Sequence, residues 1–255
     1  MSPRRHDHDA GGDPELLAAK AELRERVWDA IVAAGAGRFP APHHRIPNFV
    51  GAEAAAELLR TLPAWQGART VKANPDSPQW PVRQRALEDG MTVFMAVPRL
   101  AEDDPFFLLD PDELADAPRK ASSIKGASRS ARTISVAELE PVDVVVTGCV
   151  AVSPDGGRLG KGGGFSDLEY AIAWEAGLIG PETVVVTTVH DAQVVGEGEI
   201  PLTDHDIRLD HIVTPDRIID CPSGDRPPAA IRWDELTAEK VDAIPVLRHL
   251  ADLRR

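Results

Sequence analysis

The chain has 255 residues, with 28 Lys and Arg against 41 Asp and Glu and a formal net charge of -13. That length buries a substantial core, as one large α/β domain or two small ones. An acidic balance of this size excludes a general nucleic-acid binder and leaves room only for a local cationic pocket that takes one small anion.

No apolar run reaches the length of a membrane span, and the opening MSPRRHDHDAGGDPE lacks the hydrophobic segment of a signal peptide. The expectation is a soluble, cytoplasmic protein with no membrane or nucleic-acid partner. Two cysteines, Cys149 and Cys221, are too few for a disulfide framework and read as reduced thiols. Residues 1–12, with His6 and His8 among Gly and Asp, read as a disordered leader.

Asp13-Pro14-Glu15 is a helix start: Asp caps, Pro takes the first helical position and an acid meets the positive end of the dipole. The spacing predicts a helix to about residue 34, with Leu16, Leu23, Val27 and Ile31 on one stripe and Glu15, Glu22, Glu25, Arg26 and Asp29 opposite. Lys20 falls inside the apolar stripe, with Arg24 at its edge. Either Lys20 snorkels to water or it reaches an anion, and Arg24, four residues on, is able to point the same way.

A second helix is expected over 52–62. His43 and His44, before Pro47, sit in a loop and are given no role. Strands are expected over 69–73, 91–98, 142–152 and 183–190. The last two are near-continuous apolar runs, as strands covered on both faces are, and a helical stretch over 167–176 separates them. That βαβ unit predicts an α/β fold with a mostly parallel sheet and flanking helices. Residues 101–139 read as an active-site lid or a long surface loop. In 209–220, Thr214-Pro215-Asp216 marks a turn between two short strands. The α/β domain is thus expected over 13–221, followed by a linker and an amphipathic tail over 222–255, interrupted at Pro245.

The stretch RLGKGGGFSDLE, from Arg158 to Glu169, holds most of the candidate chemistry. It is not a P-loop, because Asp155 stands where that motif needs glycine and no Ser or Thr follows Lys161. Nor is it a dinucleotide fingerprint, which needs glycine where Phe165 stands. Its expected setting is nevertheless similar: a buried strand whose carboxyl end feeds a glycine-rich turn into a helix N-terminus, where N–H groups and the dipole attract an anion. Taken alone, the glycines read as a phosphate site or a tight turn. Arg158 and Lys161 neutralise phosphate oxygens, whereas Asp167 and Glu169 repel them unless Mg²⁺ lies between. Asp167 is the expected metal ligand. Glu169 either shares that role or complements the helix dipole. His190-Asp191 and His205-Asp206 read as hydrogen-bonded pairs near the pocket, since ligands of open parallel sheets sit at the strands' carboxyl ends; His205 also reads as a structural histidine.

RLGKGGGFSD resembles the R-L-G-x-G-x-G-Y-Y-D signature of the 5-formyltetrahydrofolate cyclo-ligase, or methenyltetrahydrofolate synthetase, family. KAELR (Lys20 to Arg24) resembles its N-terminal K-x-x-L-R, VPRL (Val97 to Leu100) has a similar counterpart after the second strand, and HDIRLDHIVTP (His205 to Pro215) resembles its closing H-D-x-x-x-D strand. RIPNFVGAEAAAELL, VKANPDSPQWPVR, GFSDLEYAI and VHDAQVV look closer to a divergent branch, the methenyltetrahydrofolate synthetase domain-containing type.

The resemblance implies a three-layer fold of the NagB/RpiA/CoA transferase-like type. It implies an ATP- and Mg²⁺-dependent ligase of one-carbon metabolism acting on a reduced folate: the formyl oxygen of 5-formyltetrahydrofolate is phosphorylated, N10 attacks the activated carbon and phosphate leaves. It makes Lys20, Arg24, Arg158, Gly160, Lys161, Gly162, Gly163, Gly164 and Phe165 the nucleotide-binding residues, with Lys20, Arg158 and Lys161 serving the transfer and Asp167 holding the metal. The family's two tyrosines are Phe165 and Ser166 here, and its basic residue after the aspartate is Leu168. Members of the wider paralogous group are associated with thiamin metabolism. The substrate therefore stays open between 5-formyltetrahydrofolate and another compound, as does a paralogue that binds nucleotide or folate without turnover.

Overall fold

The computed structural model describes residues 13–100, 102–203, 206–222 and 229–254. In chain order these include α1 (Pro14–Ala33), α2 (Ala52–Leu59), α3 (Pro63–Gln66), β1 (Thr70–Ala73), α4 (Trp80–Glu88), β2 (Thr92–Ala96), β3 (Phe106–Leu109), α5 (Pro118–Ala121), α6 (Ile124–Ser130) and β4 (Arg132–Ile134). There follow β5 (Val144–Val146), β6 (Ala151–Val152), β7 (Arg158–Leu159), α7 (Phe165–Glu175), β8 (Val184–Thr188), β9 (His211–Val213), β10 (Ile218–Asp220), α8 (Ala238–Ala243) and α9 (Pro245–Leu253).

The main sheet has the order β10-β9-β8-β5-β1-β2-β3-β4. Its middle strands, from β9 across to β2, are parallel, and both edges are antiparallel. The period of two along each strand divides the core between the faces. Val145 and Phe94 pack on the side of α7, with Leu168 and Ile172. Val144, Val146, Val93 and Met95 pack on the side of α2 and α4, with Leu59 and Val82. This is the expected three-layer, mostly parallel α/β arrangement.

Three details differ from the sequence expectations. The apolar run 142–152 is two strands: β5 stops at Val146, and the chain leaves the sheet to form a separate ribbon in which β6 pairs with β7. At the break the Gly148 N–H donates to the side chain of Asn74, a residue distant in sequence, at 3.1 Å. Hydropathy alone does not register such a partner. Residues 101–139 are neither lid nor surface loop. They supply β3 and β4 to the sheet edge and α5 and α6 between them, with Phe106, Phe107 and Ile134 buried. The helix expected over 52–62 ends at Leu59, and Pro63 opens α3 at its first turn.

The C-terminal segment packs on the α7 face. Ile231, Ile244, Val246 and Leu247 are buried there, each side chain contributing about 1.5–3 kcal/mol. Pro245 starts α9 at its first turn, where its missing N–H costs nothing.

Candidate functional site

The site begins with how α1 is seated. The Glu15 N–H donates to the Asp13 carboxylate at 3.0 Å, so the helix starts where its cap and proline imply. Leu23, Val27 and Trp28 then pack against Val150, Ala151 and Leu159 of the β6–β7 ribbon. That contact brings the two cations of α1 to the glycine loop. Arg24 Nε donates to the Gly160 carbonyl at 2.8 Å, and Lys20 Nζ donates to Asp206 Oδ2 at 3.0 Å. Burial alone would raise the Asp206 carboxyl, but the Thr203 N–H and the Lys20 ammonium outweigh it and hold the group below its usual range.

The loop itself leaves β7, the second strand of the ribbon, and not a strand of the main sheet. Arg158 lies within β7 with its side chain only 2% exposed; Nη1 donates to Asp167 Oδ1 at 2.5 Å, while Nε has no hydrogen-bond partner. Burial works against its charge, but Asp167 and then the neighbouring Cys149 thiol raise its pKa further, so the guanidinium stays protonated. Gly162 has φ +98, and a Cβ there would lie 3.3 Å from the Arg24 guanidinium carbon. Only glycine gives both that backbone and that approach. Gly164, at φ +62, is the N-cap of α7.

These groups share a cavity of about 410 Å³, within the ~300–1,000 Å³ of small-molecule sites. Lys20, Arg24, Arg158, Gly160, Gly162 and Gly164 all line it, with Asp167 and Asp206. Three residues expected beside them do not. Lys161 is half exposed, with Nζ 3.9 Å from Asp76; burial holds the Asp76 carboxyl above its usual range despite that ammonium. Gly163 presents its carbonyl to Lys240 at 3.4 Å. Phe165 packs at the edge of the α7-side core.

Glu169 has neither of its expected roles. It is two residues beyond Asp167 and so lies about 200° around the helix, beneath the sheet. There it accepts from Lys72 Nζ at 2.5 Å and from Asn74 Nδ2 at 2.8 Å, almost fully buried. Burial raises its pKa against the pull of Lys72. Nor do His190 and Asp191 pair with each other as expected. His190 Nδ1 accepts from the Ala192 N–H, and Asp191 pairs with Arg217. His205 lies outside the described residues, and Asp206 pairs with Lys20. Among the described residues no three His, Cys, Asp or Glu gather as a metal cage. Asp167, with a third of its side chain exposed, lies on the cavity, whose other carboxylates are Asp13, Asp206 and Glu235.

Sequence reasoning missed Lys72, Arg83 and the C-terminal wall. Lys72 had a signal, a lone cation inside an apolar strand. Arg83, wholly buried, donates to the carbonyls of Asn74, Asp76 and Ser122 and so fixes the loop after β1; burial lowers its pKa to about 10. Arg232, Leu236 and Lys240 close the cavity from beyond the sheet, and no motif marks them. No helix among the described residues is long and apolar enough to cross a membrane.

Fold and site together define an α/β protein with a glycine-floored, cation-walled cavity beside a helix N-terminus. The model of the 5-formyltetrahydrofolate cyclo-ligase family matches residues 16–215, and the chain belongs to that family. It is 40% identical over 241 residues to a methenyltetrahydrofolate synthase domain-containing protein of Bos taurus, covering 93% of this chain and 63% of the relative. A Mus musculus protein of the same name is 41% identical over 237 residues, covering 92% and 63%. The chain thus spans less than two thirds of the length of these relatives. The solved structure of Aquifex aeolicus 5,10-methenyltetrahydrofolate synthetase superposes with a TM-score of 0.51 at 18% identity, over 84% of this chain and 98% of that one, and supports the fold.

Proposed function

We propose that this protein is a MgATP-dependent carbon–nitrogen cyclo-ligase that phosphorylates a formyl oxygen, with 5-formyltetrahydrofolate the leading substrate and 5,10-methenyltetrahydrofolate, ADP and phosphate the products. The observation that carries the reading is Arg158. A guanidinium 2% exposed, held by Asp167, lies on the lining of a cavity that two cations of α1 share. A polyphosphate is the ligand that matches such cations and loop N–H groups together.

Lys20, Arg24 and Arg158 bind and orient the phosphates, and the glycine backbone allows close approach. Positioning and fixed charge, rather than a nucleophilic side chain, serve phosphoryl transfer. Asp167 is the residue that would hold Mg²⁺; a single carboxylate beside substrate phosphates is a donor set this ion commonly takes, and when bound it neutralises charge on the transferring group. The test mixes purified protein with 5-formyltetrahydrofolate and MgATP and follows methenyltetrahydrofolate absorbance and phosphate release. Absence of both, with ATP binding still seen by calorimetry, refutes the cyclo-ligase reading. That outcome favours the second reading, a paralogue that binds without this turnover or acts on another substrate, for which Phe165 and Ser166 in place of two tyrosines speak.

A further inference from the structure

The family match ends at residue 215, but the cavity does not. Its outer wall comes from the chain beyond residue 228, with Ile231, Arg232, Glu235, Leu236 and Lys240 on the lining. We infer that this C-terminal segment is a strap that completes the phosphate pocket, and that Lys240 is a phosphate-binding cation in its own right. The inference rests on the ATP reading above for the identity of the ligand, and on the following geometry for the site.

Lys240 Nζ lies over the glycine loop. It donates to the Gly163 carbonyl at 3.4 Å and stands 3.1 Å from the point a Cβ on Gly164 would occupy. The same ammonium sits 5.7 Å from the centre of the Phe165 ring, a cation–π distance. A lysine carries three donors on a flexible stem, and Lys240 is on the cavity lining. Lys240 therefore brings to this loop a cation distant in sequence from the two that α1 supplies. Lys161 does not do this, because its Nζ faces Asp76 and it is not on the cavity lining.

The strap is anchored and not merely nearby. The Ile231 N–H donates to Glu175 Oε1 at 2.8 Å, which ties it to the C-terminal end of α7. Thr237 caps α8 by accepting from the Lys240 N–H at 3.1 Å. Ile244 and Leu247 are buried at 2% and 0% exposure, fixing the far side. A cation held between two such anchors is positioned before ligand arrives, which is what precise placement of a phosphate requires. The Arg158 guanidinium lines the same cavity, with Lys20 and Arg24.

Calorimetry of the full chain with MgATP and, separately, with inorganic tripolyphosphate tests the assignment in wild type, Lys240→Met and Lys240→Arg. Lys240→Met should weaken both ligands by about tenfold or more, the scale of one charge-assisted hydrogen bond, while Lys240→Arg stays within about threefold of wild type. Lys240→Gln repeats the comparison if the Met variant melts at a lower temperature without ligand. Wild-type affinity for both ligands in the neutral variants overturns the proposal. Wild-type protein that binds tripolyphosphate but not ATP refutes the nucleotide reading alone, and the tripolyphosphate comparison then decides on Lys240. Binding of neither ligand overturns both.

Discussion

Replacing Lys72 with Met strands a carboxylate beneath the sheet. In the native protein Lys72 and Glu169 have side chains only 3% and 4% exposed, and Asn74 donates the one further bond to the same oxygen. Methionine keeps the volume but removes the charge, and breaking a buried pair from one side costs about 3–5 kcal/mol. Against a total stability of roughly 5–15 kcal/mol this is a large loss. At roughly 2–4 °C per kcal/mol for a domain of this size, the melting temperature should fall by about 6–20 °C. The loss carries a pH signature. Burial already raises the Glu169 pKa, with Lys72 pulling it down; without Lys72 it rises further. The stability such a group contributes is fully present below its unfolded value, about 4.3, and is lost as pH rises through the folded value. The gap between variant and wild type should therefore narrow toward acid pH and be widest at neutral pH. Circular-dichroism melts from acid to neutral pH measure it. The double variant Lys72→Met with Glu169→Gln, which keeps an acceptor for Asn74, should recover most of the stability. A gap below about 1 kcal/mol or one independent of pH would refute the reasoning, since both follow from an uncompensated buried charge.

Gly162→Ala forces a side chain onto a backbone at φ +98 and toward the Arg24 guanidinium; stability should fall by about 1–3 kcal/mol and ATP affinity should fall with it, and an unchanged melt would show that the loop needs no glycine there. Arg24→Ala should weaken ATP binding by about tenfold or more, whereas Lys161→Ala, whose ammonium faces Asp76, should change it by less than about threefold; equal losses in calorimetry would return Lys161 to the phosphates.

The site was legible where a residue violates its local pattern. Lys20 stands out because it interrupts an apolar stripe, and the structure gives it a carboxylate partner in Asp206. The glycine loop stands out because no packing purpose explains so bare a run. What stayed hidden depends on partners far along the chain. Glu169 looks like a first-turn acid until β1 places Lys72 beneath it, 97 residues away. The break after Val146 reads as continuous strand because its cause is the side chain of Asn74. The antiparallel edge was lost because β3 and β4, of 4 and 3 residues, are too short for a clear period. Lys240 carries no motif at all; only tertiary packing brings it over the loop.

The cavity's contacts also have an order in time. Lys20 meets a partner 186 residues later, Arg24 one 136 residues later, and Gly163 waits 77 residues for Lys240. Closing loops of that length is entropically slow, and each contact is rewarded only after the chain between has been ordered. A chain released from the ribosome without its last few dozen residues would carry both cations of α1 and the whole glycine loop, yet lack the wall that closes them. Affinity for the proposed ligand would then depend on the segment beyond residue 228 having folded back over the loop.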